Sequence, residues 1–219
     1  MSKVICLEKD IEIMHFDHID YSHKYLEDVL CIIRQGISKK RATLTRGKRE
    51  GLNSQTLVEA FNVVGTTGIV CSTWIGVQKE HEREDNKGKE DIYFHLNDDK
   101  CTRIFYVEAK RLPKPKSKSE EEYVVGESST GNPSGGIQRY KLGNHGDYRL
   151  RHNGIIAYVE NKSIEEWRLI VNGKITKEYP NDSLLSSNSF VNEFISTHNY
   201  LNQEGSFVMH HFWINLTKN

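Results

Sequence analysis

The middle of the chain reads EDIYFHL over residues 90–96, NDDK over residues 97–100 and CTRIFYVEAK over residues 101–110. Apolar and polar residues alternate in the first and last of these segments, which predicts two strands that each bury one face. The polar residues between them predict a turn, so the whole stretch indicates a β-hairpin. Folding about the bond between Asp98 and Asp99 pairs Ile92 with Phe105. A slip by one residue would mix the apolar and polar faces, so the alternation itself favours this register.

Three charged side chains share one face of the predicted hairpin. The register places Asp91 opposite Tyr106, and Glu108 and Lys110 then lie on the same side as Asp91. Carboxylates held close together repel each other unless a cation lies between them. Mg²⁺ commonly takes one or two carboxylates together with waters and a substrate phosphate. We therefore predict a Mg²⁺ or Mn²⁺ site formed by Asp91, Glu108 and the carbonyl of Ala109. Lys110 would hold or activate an attacking water and stabilise charge on the phosphate.

The spacing of these residues resembles the signature of the PD-(D/E)xK nuclease superfamily, which includes restriction endonucleases. Sixteen residues separate Asp91 from the triplet Glu108-Ala109-Lys110, which ends an apolar strand. The resemblance implies a restriction endonuclease-like α/β fold, with a central mixed β-sheet flanked by α-helices, and a metal-dependent nuclease activity. Glu90 stands where the signature has Pro, at a position that varies widely in the superfamily.

The resemblance extends to a predicted helix on each side of the hairpin. In the superfamily, a helix before the first core strand often carries an acidic residue. Glu59 is the match, so the resemblance makes it a candidate metal ligand. The helix after the Glu-x-Lys strand often carries a glutamine, matched by Gln138, which becomes a candidate catalytic residue near the metal or Lys110. Arg139 and Tyr140 follow it as candidate phosphate contacts. The alternatives are a solvated Glu59 and a surface helix around Gln138.

A basic segment precedes the helix of Glu59. Six of the eleven residues over 39–49 are basic, in a chain with 30 basic and 30 acidic residues. Clustered positive charge in a neutral chain suits a nucleic-acid surface, although charge runs usually only face water. The candidate nucleic-acid contacts in this segment are Lys39, Lys40, Arg41, Arg46, Lys48 and Arg49.

Composition suits one domain. The 219 residues, of which 37% are hydrophobic, predict a single domain over residues 1–219. The resemblance implies that this domain is nuclease-like, with its core at about residues 50–160. No charged segment followed by an apolar run opens the sequence, and no stretch reaches the roughly 20 apolar residues of a membrane helix. We therefore expect a cytoplasmic protein without membrane contact. The four cysteines are widely spaced, which fits reduced thiols better than disulfides or a zinc site.

The hydrophobic pattern predicts further elements on both sides of the hairpin. Residues 111–135 are rich in Pro, Lys, Ser and Gly and predict a long loop. Helices are expected over residues 21–35, from Ser54 onward, and over residues 163–171 and 190–197. Strands are expected over residues 11–16, 68–77, 153–159 and 206–216.

These observations favour a metal-dependent nuclease that hydrolyses DNA more readily than RNA. A role in restriction or phage defence follows only from the resemblance. The chain has no recognisable sequence-reading domain, so we expect a homodimer or a subunit of a larger complex. Three alternatives stay open. They are a catalytically inactive nuclease-fold subunit that binds nucleic acid or partner proteins, a different Mg²⁺-dependent phosphate hydrolase, and an exposed ion pair between Glu108 and Lys110 that contributes little.

Overall fold

The computed structural model describes residues 21–47, 50–68, 74–82, 89–113 and 122–217. A short 3₁₀ turn, Arg41–Thr43, follows the first helix. None of the described helices is both long enough and apolar enough to cross a membrane. The α-helices are α1 (Tyr21–Lys40), α2 (Glu50–Thr66), α3 (Gly136–Lys141) and α4 (Ile164–Glu178). The strands are β1 (Ile75–Glu82), β2 (Lys89–Leu96), β3 (Arg103–Leu112), β4 (His152–Val159), β5 (Ser186–Ser187), β6 (Glu193–Asn199) and β7 (Ser206–Asn215).

Within the described part of the chain, the strands form one seven-stranded sheet in the order β1-β2-β3-β4-β7-β6-β5. The β2 strand is antiparallel to both β1 and β3, whereas β3, β4 and β7 run parallel. At the other edge, β6 is antiparallel to β7, and β5 to β6. A parallel pair needs a crossover connection, which the segment carrying α3 provides between β3 and β4. The predicted α/β class, with a central mixed sheet flanked by helices, is therefore confirmed.

Both faces of the sheet are covered. On one face, Phe105 and Val107 of β3 belong to the core that includes Phe61 of α2. On the other face, Tyr106 belongs to the core that includes Trp167 of α4. The central strands are consequently buried on both sides, as is usual for parallel strands covered by helices. A charged side chain in the middle of β3 must therefore find its partners inside the protein.

The hairpin register differs from the predicted one by two residues. Ile92 pairs with Val107, whereas the sequence predicted Phe105. The turn is longer than expected because the Asp98 carboxylate accepts a hydrogen bond from Thr102 N–H. A bulge in the ladder then shifts the pairing by one residue more. Beyond the bulge, from Phe94 toward Asp91, the shift is two residues and keeps each side chain on its predicted face, so the shared face of the charged residues survives the correction.

The prediction of a helix over residues 190–197 is wrong. This region contains β6, in which Phe194, Ser196 and His198 are buried while Thr197 is exposed. Burial thus alternates with a period of two, which is the period of a strand. The isolated apolar residues of this region fit both periods over so short a length, and pairing with β7 decides between them.

Other elements differ in their limits or lie outside the described residues; the first helix, for example, runs to Lys40 and α4 to Glu178, each longer than predicted. The second helix begins at Glu50 and not at Ser54, whose hydroxyl donates to the Glu50 carbonyl inside the helix. The first described strand, β1, extends through a charged run to Glu82 instead of ending at residue 77. The strand predicted over residues 11–16 lies outside the described residues.

A chain of buried side chains links the last two strands to the segment before α3. His211 Nδ1 lies 2.7 Å from the Tyr123 hydroxyl, and Ser196 Oγ lies 2.7 Å from both His211 Nε2 and His198 Nε2. Burial lowers the pKa of both histidines, so they stay neutral. The Tyr123 backbone carbonyl accepts a hydrogen bond from Ile137 N–H at 3.1 Å. The hydrogen-bonded side chains therefore also hold α3 in place through Tyr123. The hydrogen bonds can all run in one direction, so that each group donates to the next. The order is Trp213, Tyr123, His211, Ser196, His198 and Asp182.

Candidate active site

The candidate site lies where β2 separates from β3. The ladder between these strands ends at the pair of Ile92 and Val107. One residue further, Asp91 Oδ2 accepts a hydrogen bond from Ala109 N–H at 2.8 Å. The Asp91 carboxylate thus takes the position that a backbone acceptor of β2 would hold in a continued ladder. In an extended strand, the N–H and the C=O of one residue point toward the same neighbouring strand. Because the Ala109 N–H points toward Asp91 of β2, the Ala109 carbonyl faces the same gap.

Three basic side chains enclose the carboxylate of Glu108, of which only 1% is exposed. Its Oε1 atom lies 2.6 Å from Lys110 Nζ and 3.0 Å from Arg139 Nη1. Its Oε2 atom lies 2.9 Å from His145 Nδ1. Burial raises the pKa of this carboxyl group, but the three basic groups outweigh burial and hold the pKa well below its ordinary value. Glu108 is therefore ionised at neutral pH, and the ion pair with Lys110 is buried, not exposed.

Lys110 carries its charge in this arrangement. Burial lowers the pKa of the ammonium group, but the carboxylates of Glu108, Glu50 and Asp91 outweigh burial and raise the pKa above its ordinary value. An efficient general base needs a pKa near the working pH. Lys110 is consequently suited to stabilising negative charge and to orienting a water, and not to removing a proton.

Glu50, the first residue of α2, brings a third carboxylate to the site. It accepts a hydrogen bond from the Arg111 backbone N–H. Burial, with further repulsion from Glu108, outweighs the attraction of Lys110 and raises the pKa of Glu50 to about 7. Burial and the carboxylates of Glu108 and Glu50 likewise raise the pKa of Asp91 well above its ordinary value. Ionised Asp91 and ionised Glu50 are therefore both unfavourable in the folded protein.

The structure places Glu59 away from this cluster. Glu59 lies nine residues after Glu50, which is about 13 Å further along the helix axis. Its side chain is exposed and accepts a hydrogen bond from Gln55 Nε2 at 3.2 Å. The acidic residue of α2 that lies near Lys110 and Glu108 is thus Glu50 and not Glu59. The signal for Glu50 in the sequence is an acidic residue in the first turn of a helix. Glu50 directly follows the basic segment, so the sequence pattern does not assign it to the helix.

Gln138 and Tyr140 make structural contacts. Gln138 Oε1 accepts hydrogen bonds from Gly126 N–H at 3.1 Å and from Gly135 N–H at 3.3 Å, which fixes the loop that leads into α3. Tyr140 is buried, with its ring against His145. This burial leaves Tyr140 no surface for the phosphate contact that the sequence suggested, because its ring fills the core beside the helix.

Arg139 and His145 reach the site from α3 and from the turn after it. Gly143 and Gly146 have φ angles of 70° and 72°, in the left-handed region that glycine adopts without strain. These two glycines let the chain reverse after α3, so that His145 comes to lie beside Glu108. The sequence pointed to Arg139 as a phosphate contact but missed His145, since one histidine in a turn forms no pattern.

The basic segment reaches the same end of the sheet. Gly47 N–H donates to Glu160 Oε1 at 3.2 Å. Glu160 also pairs with Arg111, the residue after Lys110, through Nη2–Oε2 and Nε–Oε1 distances of 2.5 and 2.9 Å. The segment before α2 is thus joined to the strand that carries the candidate site.

The basic side chains of this segment differ in accessibility. Lys39 and Arg46 are exposed, and Lys40 is half-buried. Arg41 instead donates to the Asn215 backbone carbonyl, so its guanidinium has a structural partner. The remaining two candidates, Lys48 and Arg49, lie outside the described residues.

No protein-family model, curated protein or solved structure matches this chain. The chemistry of the site therefore rests on its own geometry and charge. This geometry bears on which cation the carboxylates suit and on whether another group of residues could form a catalytic site.

The donor set around the gap suits a hard divalent cation. Within the described residues, no group of three or more His, Cys, Asp or Glu side chains is arranged to hold a metal ion. Mg²⁺ needs only one or two carboxylates, however, because waters and phosphate complete its shell. Asp91 and Glu108 supply the carboxylates, and the Ala109 carbonyl faces the same gap. Bound positive charge would also favour the ionised forms of Asp91 and Glu50, so these residues fit the ion.

A second arrangement has the contacts of a nucleophilic triad but is closed to substrate. His198 joins Ser196 Oγ through Nε2 at 2.7 Å and Asp182 Oδ2 through Nδ1 at 2.8 Å. Ser196 is 2% exposed, and its Oγ is shared with His211. A substrate carbonyl cannot approach a buried hydroxyl held by two histidines, so this group stabilises the fold.

We expect Glu50→Gln to change the pH dependence of stability. Between pH 4.5 and about 7 the folded protein binds more protons at Glu50 than the unfolded chain does, because the pKa of Glu50 is raised. Stability contributed by this group therefore falls as pH rises through that window. Relative to wild type, Glu50→Gln should gain up to about 3 kcal/mol between pH 4.5 and pH 7.5. Urea unfolding in EDTA measures this gain. Glu59→Gln on the exposed face of the same helix is the control, and parallel curves for wild type and Glu50→Gln would contradict the expectation.

Proposed function

We propose that this chain is a metal-dependent nuclease that hydrolyses phosphodiester bonds and prefers DNA to RNA. The observation that carries the proposal is the gap between β2 and β3, where Asp91 and Glu108 lie together with Lys110 beside them. The mixed sheet flanked by helices supports it, because it agrees with the architecture that the resemblance to PD-(D/E)xK nucleases implies.

The residues around the gap divide into ion ligands and charge partners. Asp91, Glu108 and the carbonyl of Ala109 would hold Mg²⁺ or Mn²⁺, with Glu50 in the place first assigned to Glu59. When bound, such an ion supplies electrostatic stabilisation of the charge that develops on the scissile phosphate. Ionised Asp91 and Glu50, which are unfavourable without a cation, would become favourable ligands in the presence of one.

Lys110 is the charge partner of the reacting phosphate in this proposal. Its ammonium group is held beside Glu108 and keeps its proton, so it can donate a hydrogen bond to a phosphate oxygen or to the attacking water. A group that is already charged and positioned needs no rearrangement of solvent as the transition state forms.

The biological setting follows only from analogy. Restriction or phage defence, cytoplasmic location, and assembly as a homodimer or as a subunit of a larger complex are the settings that this analogy suggests. These settings stay predictions.

One observation favours a second candidate, a catalytically inactive nuclease-fold subunit. Both oxygens of Glu108 lie within 3.0 Å of a basic side chain, so its carboxylate is engaged without any metal. In an inactive subunit this ion-pair group would serve as a permanent structural element inside the sheet.

The two candidates differ in a simple assay. The full chain is incubated with linear, circular and single-stranded DNA and with RNA, each in Mg²⁺, in Mn²⁺ and in EDTA. We expect cleavage of DNA in either metal and none in EDTA. Asp91→Asn should lose the activity, and Glu59→Gln, a matched change at an exposed acid, should keep it. Absence of cleavage of every substrate in both metals, with no Mn²⁺ binding by calorimetry, would leave the inactive subunit as the better description.

We also expect the basic segment to form part of the nucleic-acid footprint. Lys39, Lys40 and Arg46 have accessible side chains, whereas Arg41 is held by Asn215. Phosphate contacts release counterions, so replacing the three accessible residues by Gln should reduce the slope of log affinity against log salt by roughly 2 to 3 units. Binding should weaken similarly for all sequences, because phosphate contacts do not read bases.

Fluorescence anisotropy of a labelled duplex in Ca²⁺, from low to moderate salt, measures this slope. Arg41→Gln is the control, since its charge already has an internal partner. An unchanged slope in the triple variant would assign the segment to solvated surface.

A further inference from the structure

Two of the three basic partners of Glu108 come from outside the hairpin. Arg139 belongs to α3 and His145 to the turn after it, and both approach a carboxylate that the proposed function uses for metal binding. A carboxylate cannot give its lone pairs fully to a divalent cation and to three basic side chains at once. The metal and these side chains therefore compete for Glu108.

We propose that Arg139 and His145 form a phosphate-binding subsite, which the Glu108 carboxylate occupies in the metal-free protein. Metal binding turns Glu108 toward Asp91 and frees the two basic side chains for a phosphate group of the substrate. This inference rests on the proposed function and adds to it a site for phosphate and an order of events.

The chemistry of the two side chains fits phosphate. A guanidinium group binds carboxylate and phosphate with the same planar donor geometry, so a carboxylate is a natural stand-in for a phosphate at this position. Arg139 is 24% exposed, so a ligand can reach it from solvent. His145 is fully buried; its Nδ1 lies 2.9 Å from Glu108 Oε2, and its Nε2 has no hydrogen-bond partner within the described residues. A buried imidazole with unused hydrogen-bonding capacity beside an arginine points to a ligand that completes it.

The subsite is also held in place before any ligand arrives. Backbone N–H groups of Gly136 and Gln138 donate to the carbonyls of Glu122 and Val124, both at 2.9 Å. The side chain of Gln138 fixes the preceding loop through Gly126 and Gly135. The helix that carries Arg139 is thus anchored at its start, so the guanidinium is positioned at little further entropic cost.

Competition between the metal and Arg139 for Glu108 predicts opposite changes in metal affinity and phosphate affinity. Removing the charge of Arg139 takes away a cation that repels the metal and holds its ligand, so metal binding should become tighter. The same change removes a phosphate ligand, so phosphate binding should become weaker. A substitution that only disturbed the fold would weaken both.

The experiment uses the full chain and two probes. MnCl₂ alone is titrated by calorimetry, and thymidine 5′-monophosphate is then titrated into the Mg²⁺-saturated protein. For Arg139→Gln we expect about ten-fold tighter Mn²⁺ binding and about ten-fold weaker nucleotide binding. His145→Gln should show the same pair of opposite changes. Arg168→Gln is the matched control, since Arg168 is 28% exposed and pairs with Glu165 on α4; neither affinity should change.

Arg139→Lys guards against failure of the Gln variant to fold. It keeps the charge but loses the fork of donors, so Mn²⁺ affinity should stay as in wild type while nucleotide affinity falls. Weakening of both affinities, or no change in either, would overturn the subsite. Wild-type protein that binds no Mn²⁺ would overturn the proposed function as well. Mn²⁺ binding without the opposite changes would overturn the subsite alone.

Discussion

Lys110→Ala is expected to abolish detectable cleavage while the protein stays folded. The ammonium group lies 2.6 Å from Glu108 Oε1 and is charged, so its loss removes positive charge from the position where the phosphate would react. Loss of such a group typically lowers the rate by roughly 10² to 10⁴-fold. Glu108 keeps Arg139 and His145 as partners in the variant, so its charge is not left alone in the interior.

Single-turnover cleavage of linear DNA in Mg²⁺ measures the effect, with circular dichroism to confirm folding. Lys174→Ala is the control, because Lys174 forms an ion pair with Glu178 on the same helix at the surface. Turnover close to wild type in Lys110→Ala would remove the residue from the active site and leave the buried ion pair as a structural feature.

Asp91→Asn and Glu108→Gln should change the stability of the metal-free protein in opposite directions. The pKa of Asp91 is raised, so its ionisation costs the folded protein free energy, and Asp91→Asn should stabilise the protein at pH 7.5. The Asn side chain can still accept the hydrogen bond from Ala109 N–H. The pKa of Glu108 is lowered by its basic partners, so Glu108→Gln removes a favourable buried charge and should cost about 3–5 kcal/mol.

Urea unfolding at pH 7.5 in EDTA tests the two signs, and calorimetry with Mn²⁺ tests metal affinity. Both variants should bind Mn²⁺ more weakly, since each lacks one carboxylate of the site. Loss of stability in both variants would mean that the ionised Asp91 carboxylate is favourable in the folded protein, contrary to this prediction. Unchanged Mn²⁺ affinity in both would remove the metal from this position.

Alternation along the hairpin made the core of the site readable from the sequence. A strand has a period of two, so the shared face of Asp91, Glu108 and Lys110 follows from local pattern alone. It holds in the structure although the pairing itself moved by two residues. An even shift leaves the faces unchanged, which is why the pattern could not detect it. The turn and the bulge that set the true register depend on hydrogen bonds that no alternation encodes.

The helical acid shows what local pattern cannot decide. Glu50 and Glu59 lie on the same helix and both are acidic, and the resemblance to the superfamily selected Glu59. Which of them meets the gap depends on the packing of α2 against the sheet, where the buried residues of the helix, such as Phe61, set its rotation and its height. The first turn of α2 lies beside Arg111 as a result, and the exposed side of the helix carries Glu59.

The sequence by itself determined the α/β class, the two strands of the hairpin and the common face of Asp91, Glu108 and Lys110. These features follow from burial of apolar side chains at fixed local periods, which neighbouring residues alone express. Only the tertiary structure decided that Glu50 joins the site, that Arg139 and His145 enclose Glu108, and that Tyr140 belongs to the core. Each of these contacts joins residues far apart in the chain. Their distances depend on where loops end and how helices pack, and a buried charge takes whichever partners that packing brings within reach.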